Sequence, residues 1–347
     1  MHHTIASGPF AWPARALSGL VYSGIRGMTR VVGQALDQTF TQLAPLLGSR
    51  EPGPEALAAL AALNGVVGDT LAAQGSSFAQ PMELHRRAES PALTGKVLIL
   101  VHGSSMNDVQ WLRHGHDHGL ALERDLGWSA VYVRYNSGLH VSENGRALST
   151  LLEQLVSESP VNISQLAILG FSMGGLVARS ACHLADAGPS KWRPRLKTLI
   201  CMGTPHHGSP VERAGSWLET ALGVSRYSAP LAKLGKLRSA GVTDLRFGFV
   251  IDEHWQGADR FTFGRDARVP VPLPRGVRCC ALAASQSKGP GKRLRSDGLV
   301  PVASGLGHAP GTLDLKFPQE NQRIVFGASH LDLLDRPEAY AALKERL

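Results

Sequence analysis

The chain of 347 residues is short of several features, and each shortage removes a class of protein. Cysteine is scarce: Cys182, Cys201, Cys279 and Cys280 form no C-x-x-C pair, and the last two are adjacent on an apolar run. Neighbouring strand residues face opposite ways, so these four read as buried small hydrophobes rather than a disulfide framework or metal site. No apolar run of about 18 residues exists, so no spanning helix is expected. The N-terminus lacks a charged n-region followed by an apolar h-region, so a secretory signal is not supported and a cytoplasmic location is expected. Aromatic residues are few, at 6%, and none alternate with the bases. The net charge of +8 therefore reads as a basic soluble surface and not a nucleic-acid platform, with one short basic cluster at Lys288, Lys292, Arg293 and Arg295.

What is present organises itself around Leu166-Ala167-Ile168-Leu169-Gly170-Phe171-Ser172-Met173-Gly174-Gly175. Four apolar residues without helical period predict a buried strand, and a helix-like segment follows to about Ala187. The G-x-S-x-G pattern between them is what a sharp strand-to-helix turn requires. Side chains two residues before and after the serine would collide, so Gly170 and Gly174 must lack them. The helix's first turn aims unpaired N–H groups at the place where an oxyanion would form.

With hydrophobic residues at 43% the chain can bury a sizeable core. Residues 1–80 read as a separate helical region. Leu17, Leu20, Val21, Ile25, Met28, Val32, Leu36, Phe40, Leu43 and Leu47 recur at three- and four-residue spacing. Pro54 opens a second predicted helix, Glu55 to about Ala73. Arg15, Arg26 and Arg30 admit a basic amphipathic helix in peripheral contact with a membrane. Packing on the catalytic domain or on a second copy is the other reading.

Residues 81–347 read as one α/β domain. Predicted strands are Met82–Arg86 (a short edge), Lys96–Val101, Ala130–Tyr135, Leu166–Leu169, Leu196–Met202, Val277–Ala283 and Arg323–Phe326. Helices between them, one of them capped by Ser142, indicate βαβ units and a mostly parallel central sheet. Residues 209–275 interrupt the alternation and are expected to form a cap or lid over the strand ends. His102-Gly103, Asn136, Ser172 and Gly203-Thr204-Pro205 should then converge on one rim.

A serine needs a base and an orienting carboxylate to act as nucleophile. Asp297 and His330 follow in the order serine, acid, histidine, each in a loop after a predicted strand. We expect Ser172 as nucleophile, His330 as base then acid, Asp297 as orienting carboxylate, and the N–H groups of Ser104 and Met173 as the oxyanion hole. His206 and His207 precede the acid, the wrong order for the base, and read better as pocket lining. Asp252, Glu253 and Asp259 are rival acids from the cap. His114, His116 and His118 alternate as metal ligands on a strand would, but adjacent glycines favour a solvated loop or helix start.

Val101-His102-Gly103, Gly170-x-Ser172-Met173-Gly174-Gly175, Gly203-Thr204-Pro205-His206-His207-Gly208, Asp297-Gly298-Leu299-Val300-Pro301 and His330-Leu331-Asp332 resemble bacterial triacylglycerol lipases and the related GPI inositol-deacylase (PGAP1-like) hydrolases. The resemblance runs from about residue 96 to the C-terminus and implies the α/β-hydrolase fold, carboxylic-ester hydrolysis through an acyl-enzyme, no cofactor, and a small-molecule or lipid-like ester as substrate. The triad and oxyanion residues match position by position. Three features depart from the pattern. Phe171 stands where these lipases usually have histidine. Asp332 matches a calcium ligand of some of them, but the expected glutamine is Arg336, so no metal is expected. The N-terminal region has no counterpart. An acyltransferase or thioesterase on the same triad, and a non-catalytic scaffold, are the alternatives; oligomeric state is not readable.

Overall fold

The computed structural model describes residues 53–209, 238–257, 266, 268–291 and 294–347. The amphipathic pattern Leu17–Leu47, Asp259 and most of the expected cap lie outside the described residues. Chain order is α1 (Pro54–Ala73), β1 (Glu83–His85), β2 (Lys96–Val101), α2 (His118–Leu126), β3 (Ser129–Arg134), α3 (Val141–Glu158), β4 (Gln165–Phe171), α4 (Met173–Asp186), β5 (Leu196–Met202), α5 (Ala240–Asp244), β6 (Arg278–Ser285), α6 (Val302–Gly305), β7 (Gln322–Phe326) and α7 (Pro337–Lys344).

The strands form one seven-stranded sheet in the order β1-β3-β2-β4-β5-β6-β7. All pairs are parallel except β1 with β3, which places the short antiparallel strand on the edge as expected. Strand β2 lies between β3 and β4, and Val97 through Val101 are all fully buried. Val97, Ile99 and Val101 pack with α3 and α4 on one face, whereas Leu98 and Leu100 pack with Leu122, Leu334 and Leu343 on the other. Burial on both faces is why this strand reads as an unbroken apolar run, each large side chain contributing about 1.5–3 kcal/mol.

The helix after β3 begins two residues earlier than the Ser142 cap predicted. His140 precedes its first turn, and the Glu143 carboxylate accepts the His140 N–H at 3.0 Å. Ser142 instead accepts from the Trp255 indole N–H at 3.0 Å. The buried Asp244 carboxylate completes this helix start by accepting the Val141 N–H at 2.8 Å, and burial pushes its carboxyl pKa up. Helix α1 begins at Pro54 as predicted, but the compact unit holding the sheet runs from Pro54 to Leu347. The helix is therefore built into the unit with the sheet, where the sequence reading set it in a separate region ending at residue 80. Its length and hydropathy would suffice to cross a membrane, contrary to the expectation of no such helix, but most of it is buried within the protein.

The tightest packing sits at the β4–α4 turn. A Cβ added to Gly170 would lie 2.5 Å from the Gly175 Cα, and one added to Gly174 would lie 2.1 Å from the Val101 carbonyl oxygen. Both contacts are with backbone, which has no rotamer to yield. We expect Gly170→Ala to lower stability by about 1–3 kcal/mol or more, read as a reduced urea midpoint at unchanged m-value.

Candidate active site

Strand β4 delivers Ser172 to the carboxyl edge of the sheet. Its backbone, at φ 54 and ψ −121, occupies a region rarely populated by residues with a side chain. The turn is held on both sides. The Ser172 N–H donates to the Met202 carbonyl at the end of β5 at 2.8 Å, and the Ser172 carbonyl accepts from Gly175 at 3.1 Å. Met173 is the first residue of α4, so its N–H is one of the helix donors without an intrahelical acceptor.

Asp297 and His330 come together as the sequence order anticipated. The His330 Nδ1 lies 2.7 Å from the Asp297 Oδ2, and the His330 backbone N–H donates to the Asp297 carbonyl at 2.9 Å. The other carboxylate oxygen accepts the N–H groups of Leu299 and Val300 at 2.9 and 2.6 Å. These donors fix the carboxylate's direction, and the pair fixes the imidazole with Nδ1 as its donor. The loop carrying His330 is tied to the end of β6: Gly327 and Ala328 donate to the carbonyls of Ser287 and Ser285. Ser172, Asp297 and His330 are 2%, 2% and 4% exposed, so all three sit below the surface.

The blocks are brought to one place. The His330 ring packs on Phe171, with centroids 4.9 Å apart, and a Cβ on Gly203 would lie 3.0 Å from its Cε1. A Cβ on Gly103 would lie 3.1 Å from the Ser172 Cβ. Phe171 thus takes a packing role between His330 and Trp111, whose ring meets it edge-on at 6.3 Å. Trp111 was not singled out by sequence reasoning; nothing in its local pattern marks it.

His102 shapes the turn that leads to Ser104. Its Nδ1–H donates to the Gly103 carbonyl at 2.8 Å, its Nε2 accepts from the Tyr135 N–H at 3.3 Å, and the Tyr135 hydroxyl donates to the His102 carbonyl at 2.9 Å. The two rings stack with centroids 4.1 Å apart. Burial lowers the His102 pKa to about 4, so the ring is a neutral structural pin at neutral pH. Ser104 is buried beside it, and its hydroxyl has no hydrogen-bond partner among the described residues.

Several other candidates fall elsewhere. Asp252 pairs with Arg146 at 2.7 Å and Glu253 is exposed, so neither faces His330. His206 is buried with its Nδ1 3.3 Å from the guanidinium of Arg179, which donates to the Val271 carbonyl at 2.8 Å. Burial pulls the Arg179 pKa down to about 10, and no carboxylate pairs with it among the described residues. His207 packs on the Gly307 carbonyl at 2.9 Å. Of the histidines of residues 113–118, His114 is exposed and His118 is the first residue of α2, the helix start that the sequence favoured. His116 Nε2 and His118 Nδ1 are 2.8 Å apart, and His118 Nε2–H donates to the Leu333 carbonyl at 2.8 Å. They brace the turn that follows His330. At the calcium-ligand position the Asp332 carboxylate accepts the Ser329 N–H at 2.8 Å, while the Arg336 guanidinium donates to the Gly327 carbonyl at 2.6 Å. A carboxylate already engaged with backbone, beside a cation, does not fit a calcium site.

A mostly parallel sheet with helices on both faces, a serine on a strained strand-to-helix turn and an acid–histidine pair at the strand ends define the α/β-hydrolase fold. The family model for the PGAP1-like alpha/beta domain matches residues 92–265, and the chain belongs to that family. Among solved structures, the mature form of the lipase BlEst2 from Bacillus licheniformis is 16% identical, with a TM-score of 0.50 over 77% of this chain and 98% of that one. A lipase-esterase related protein from Clostridium acetobutylicum is 12% identical, with a TM-score of 0.43 over 77% of this chain and 100% of that one. At 16% identity the likeness to BlEst2 is one of fold. No curated protein matches the chain.

His102 and His118 give the fold a pH dependence. Burial lowers both to about 4, below the unfolded value near 6.5. Between those values the unfolded chain binds more protons, so their contribution to stability is complete above pH 6.5 and is lost as the pH falls toward 4. The melting temperature should therefore drop on acidification from pH 7 to 5, and His118→Gln should flatten that slope.

Proposed function

We propose that the protein is a serine hydrolase that cleaves carboxylic esters, lipid-like ones included, through an acyl-enzyme on Ser172. The observation that carries this reading is the buried Asp297–His330 pair at 2.7 Å, in a chain whose strained Ser172 adjoins the Phe171 ring on which His330 packs. Asp297 holds His330 with its Nδ1–H engaged, leaving Nε2 to take the Ser172 proton as the hydroxyl attacks the ester carbonyl. The N–H groups of Ser104 and Met173 receive the oxyanion. His330 then protonates the departing alcohol, and water, activated by the same imidazole, releases the acid and restores the serine. No step calls for a cofactor. Transfer of the acyl group to an alcohol or thiol acceptor instead of water would use the same residues.

Labelling with a fluorophosphonate probe tests the reading. Wild type is expected to label, and Ser172→Ala and His330→Ala to lose labelling; Asp297→Asn should slow ester turnover by roughly 10³-fold or more. Labelling or turnover that persists in folded Ser172→Ala would remove this mechanism.

A further inference from the structure

Helix α1 lies before the family-matched segment, which begins at residue 92, yet it packs against the loop expected to supply an oxyanion donor. Its middle, Ala61 through Gly68, is buried on every side, so it is not an amphipathic helix resting on the domain. The contact is made by backbone. A Cβ on Gly65 would lie 2.0 Å from the Ser105 Oγ and 2.8 Å from its Cα, and one on Gly68 would lie 1.9 Å from the Asn136 Oδ1. In the opposite direction, a Cβ on Gly138 would lie 2.2 Å from the Asn64 carbonyl oxygen.

Hydrogen bonds fix this approach. Val67 leaves helical geometry at φ −134 and ψ 18. On either side of it, the Gly65 carbonyl accepts the Ser239 hydroxyl at 2.6 Å and the Gly68 carbonyl accepts the Asn136 amide at 2.9 Å. The Asp69 carboxylate accepts the Ala240 N–H at 3.0 Å. One residue beyond Asn136, the Ser137 hydroxyl accepts the Ser105 N–H at 2.9 Å. Ser105 itself stands at φ 59, a left-handed conformation that a residue with a side chain keeps only where its surroundings impose it. Ser137 holds its N–H, and Gly65 closes on its side chain.

We infer that α1 is a positioning element for the oxyanion loop and that Gly65 is the residue through which it acts. The inference rests on the serine-hydrolase reading above, since it is the N–H of Ser104, the residue before Ser105, that α1 would hold in place. Oxyanion donors act on charge that develops in the transition state and lose effect when displaced by a fraction of an ångström. A disturbance transmitted from α1 should therefore lower kcat while KM stays nearly constant.

The test is a cycle of Gly65→Ala, Ser105→Gly and the double variant in the full-length protein, with p-nitrophenyl butyrate as substrate. Gly65→Ala is expected to reduce kcat by about tenfold or more, with KM within roughly twofold of wild type, as loss of an oxyanion contact does. Ser105→Gly tolerates the positive φ and removes the Oγ and Cβ that the new methyl would strike, leaving only the contact with the Ser105 Cα, so the double variant should regain part of that loss relative to Ser105→Gly alone. If Gly65→Ala does not fold, Ser239→Ala, which removes only the hydroxyl on the Gly65 carbonyl, should lower kcat several-fold at constant KM. A folded Gly65→Ala or Ser239→Ala with wild-type kcat, or a double variant as slow as Gly65→Ala predicts without coupling, overturns the inference alone. A wild type with neither turnover nor fluorophosphonate labelling overturns the hydrolase reading and this inference with it.

Discussion

Backbone meets backbone at the turn between β4 and α4, where Gly170, Gly174 and Gly175 allow a strand, a helix and the end of β2 to approach within the width of a missing methyl group. That approach is what forces Ser172 into its positive-φ conformation, and the conformation is what leaves the serine at the tip of the turn. The Ser172 N–H bonded to Met202 then ties the tip to β5, and the Gly203 N–H bonded to Leu282 ties β5 to β6. Around this turn the other parts of the site are placed by the neighbouring strands of one parallel sheet. Their common direction is the reason residues distant in sequence finish on the same rim.

Burial governs the chemistry of the surrounding groups. His102 and His118 are kept neutral by desolvation and serve as rigid hydrogen-bonding pins. The Asp297 carboxylate, by contrast, keeps three donors on its two oxygens, including the histidine it orients. The buried histidines differ by partner: His102 and His118 face backbone carbonyls and brace turns, whereas His330 faces the Asp297 carboxylate.

Much of this was legible in the chain. The strands Lys96–Val101 and Leu196–Met202 were predicted to the residue, because burial on both faces writes a run of apolar residues at Val97–Val101 and at Leu199–Met202. The glycines flanking Ser172 were readable because their requirement is local and steric. The meeting of Asp297 with His330 could be anticipated from their order and their places after strands. Ser142 was misread as a helix cap because its hydroxyl is claimed by Trp255, a partner more than a hundred residues away. His118 begins a helix as its neighbours indicated, but its partner, the Leu333 carbonyl, lies farther still along the chain and leaves no mark on the local pattern.

The sequence by itself determined the alternation of strands and helices and the serine turn, because each depends on hydrophobic period or on sterics within a few residues, and it placed Asp297 and His330 after strands that follow Ser172. Only the tertiary structure decided that α1 is built into the unit that holds the sheet, that Phe171 packs between Trp111 and His330, and that Gly65 meets Ser105. Those facts are contacts between segments far apart in the chain, and glycine or phenylalanine carries no local mark of the surface it will meet. A residue's own pattern records the element it belongs to, and its role in the site is set by what the fold brings against it.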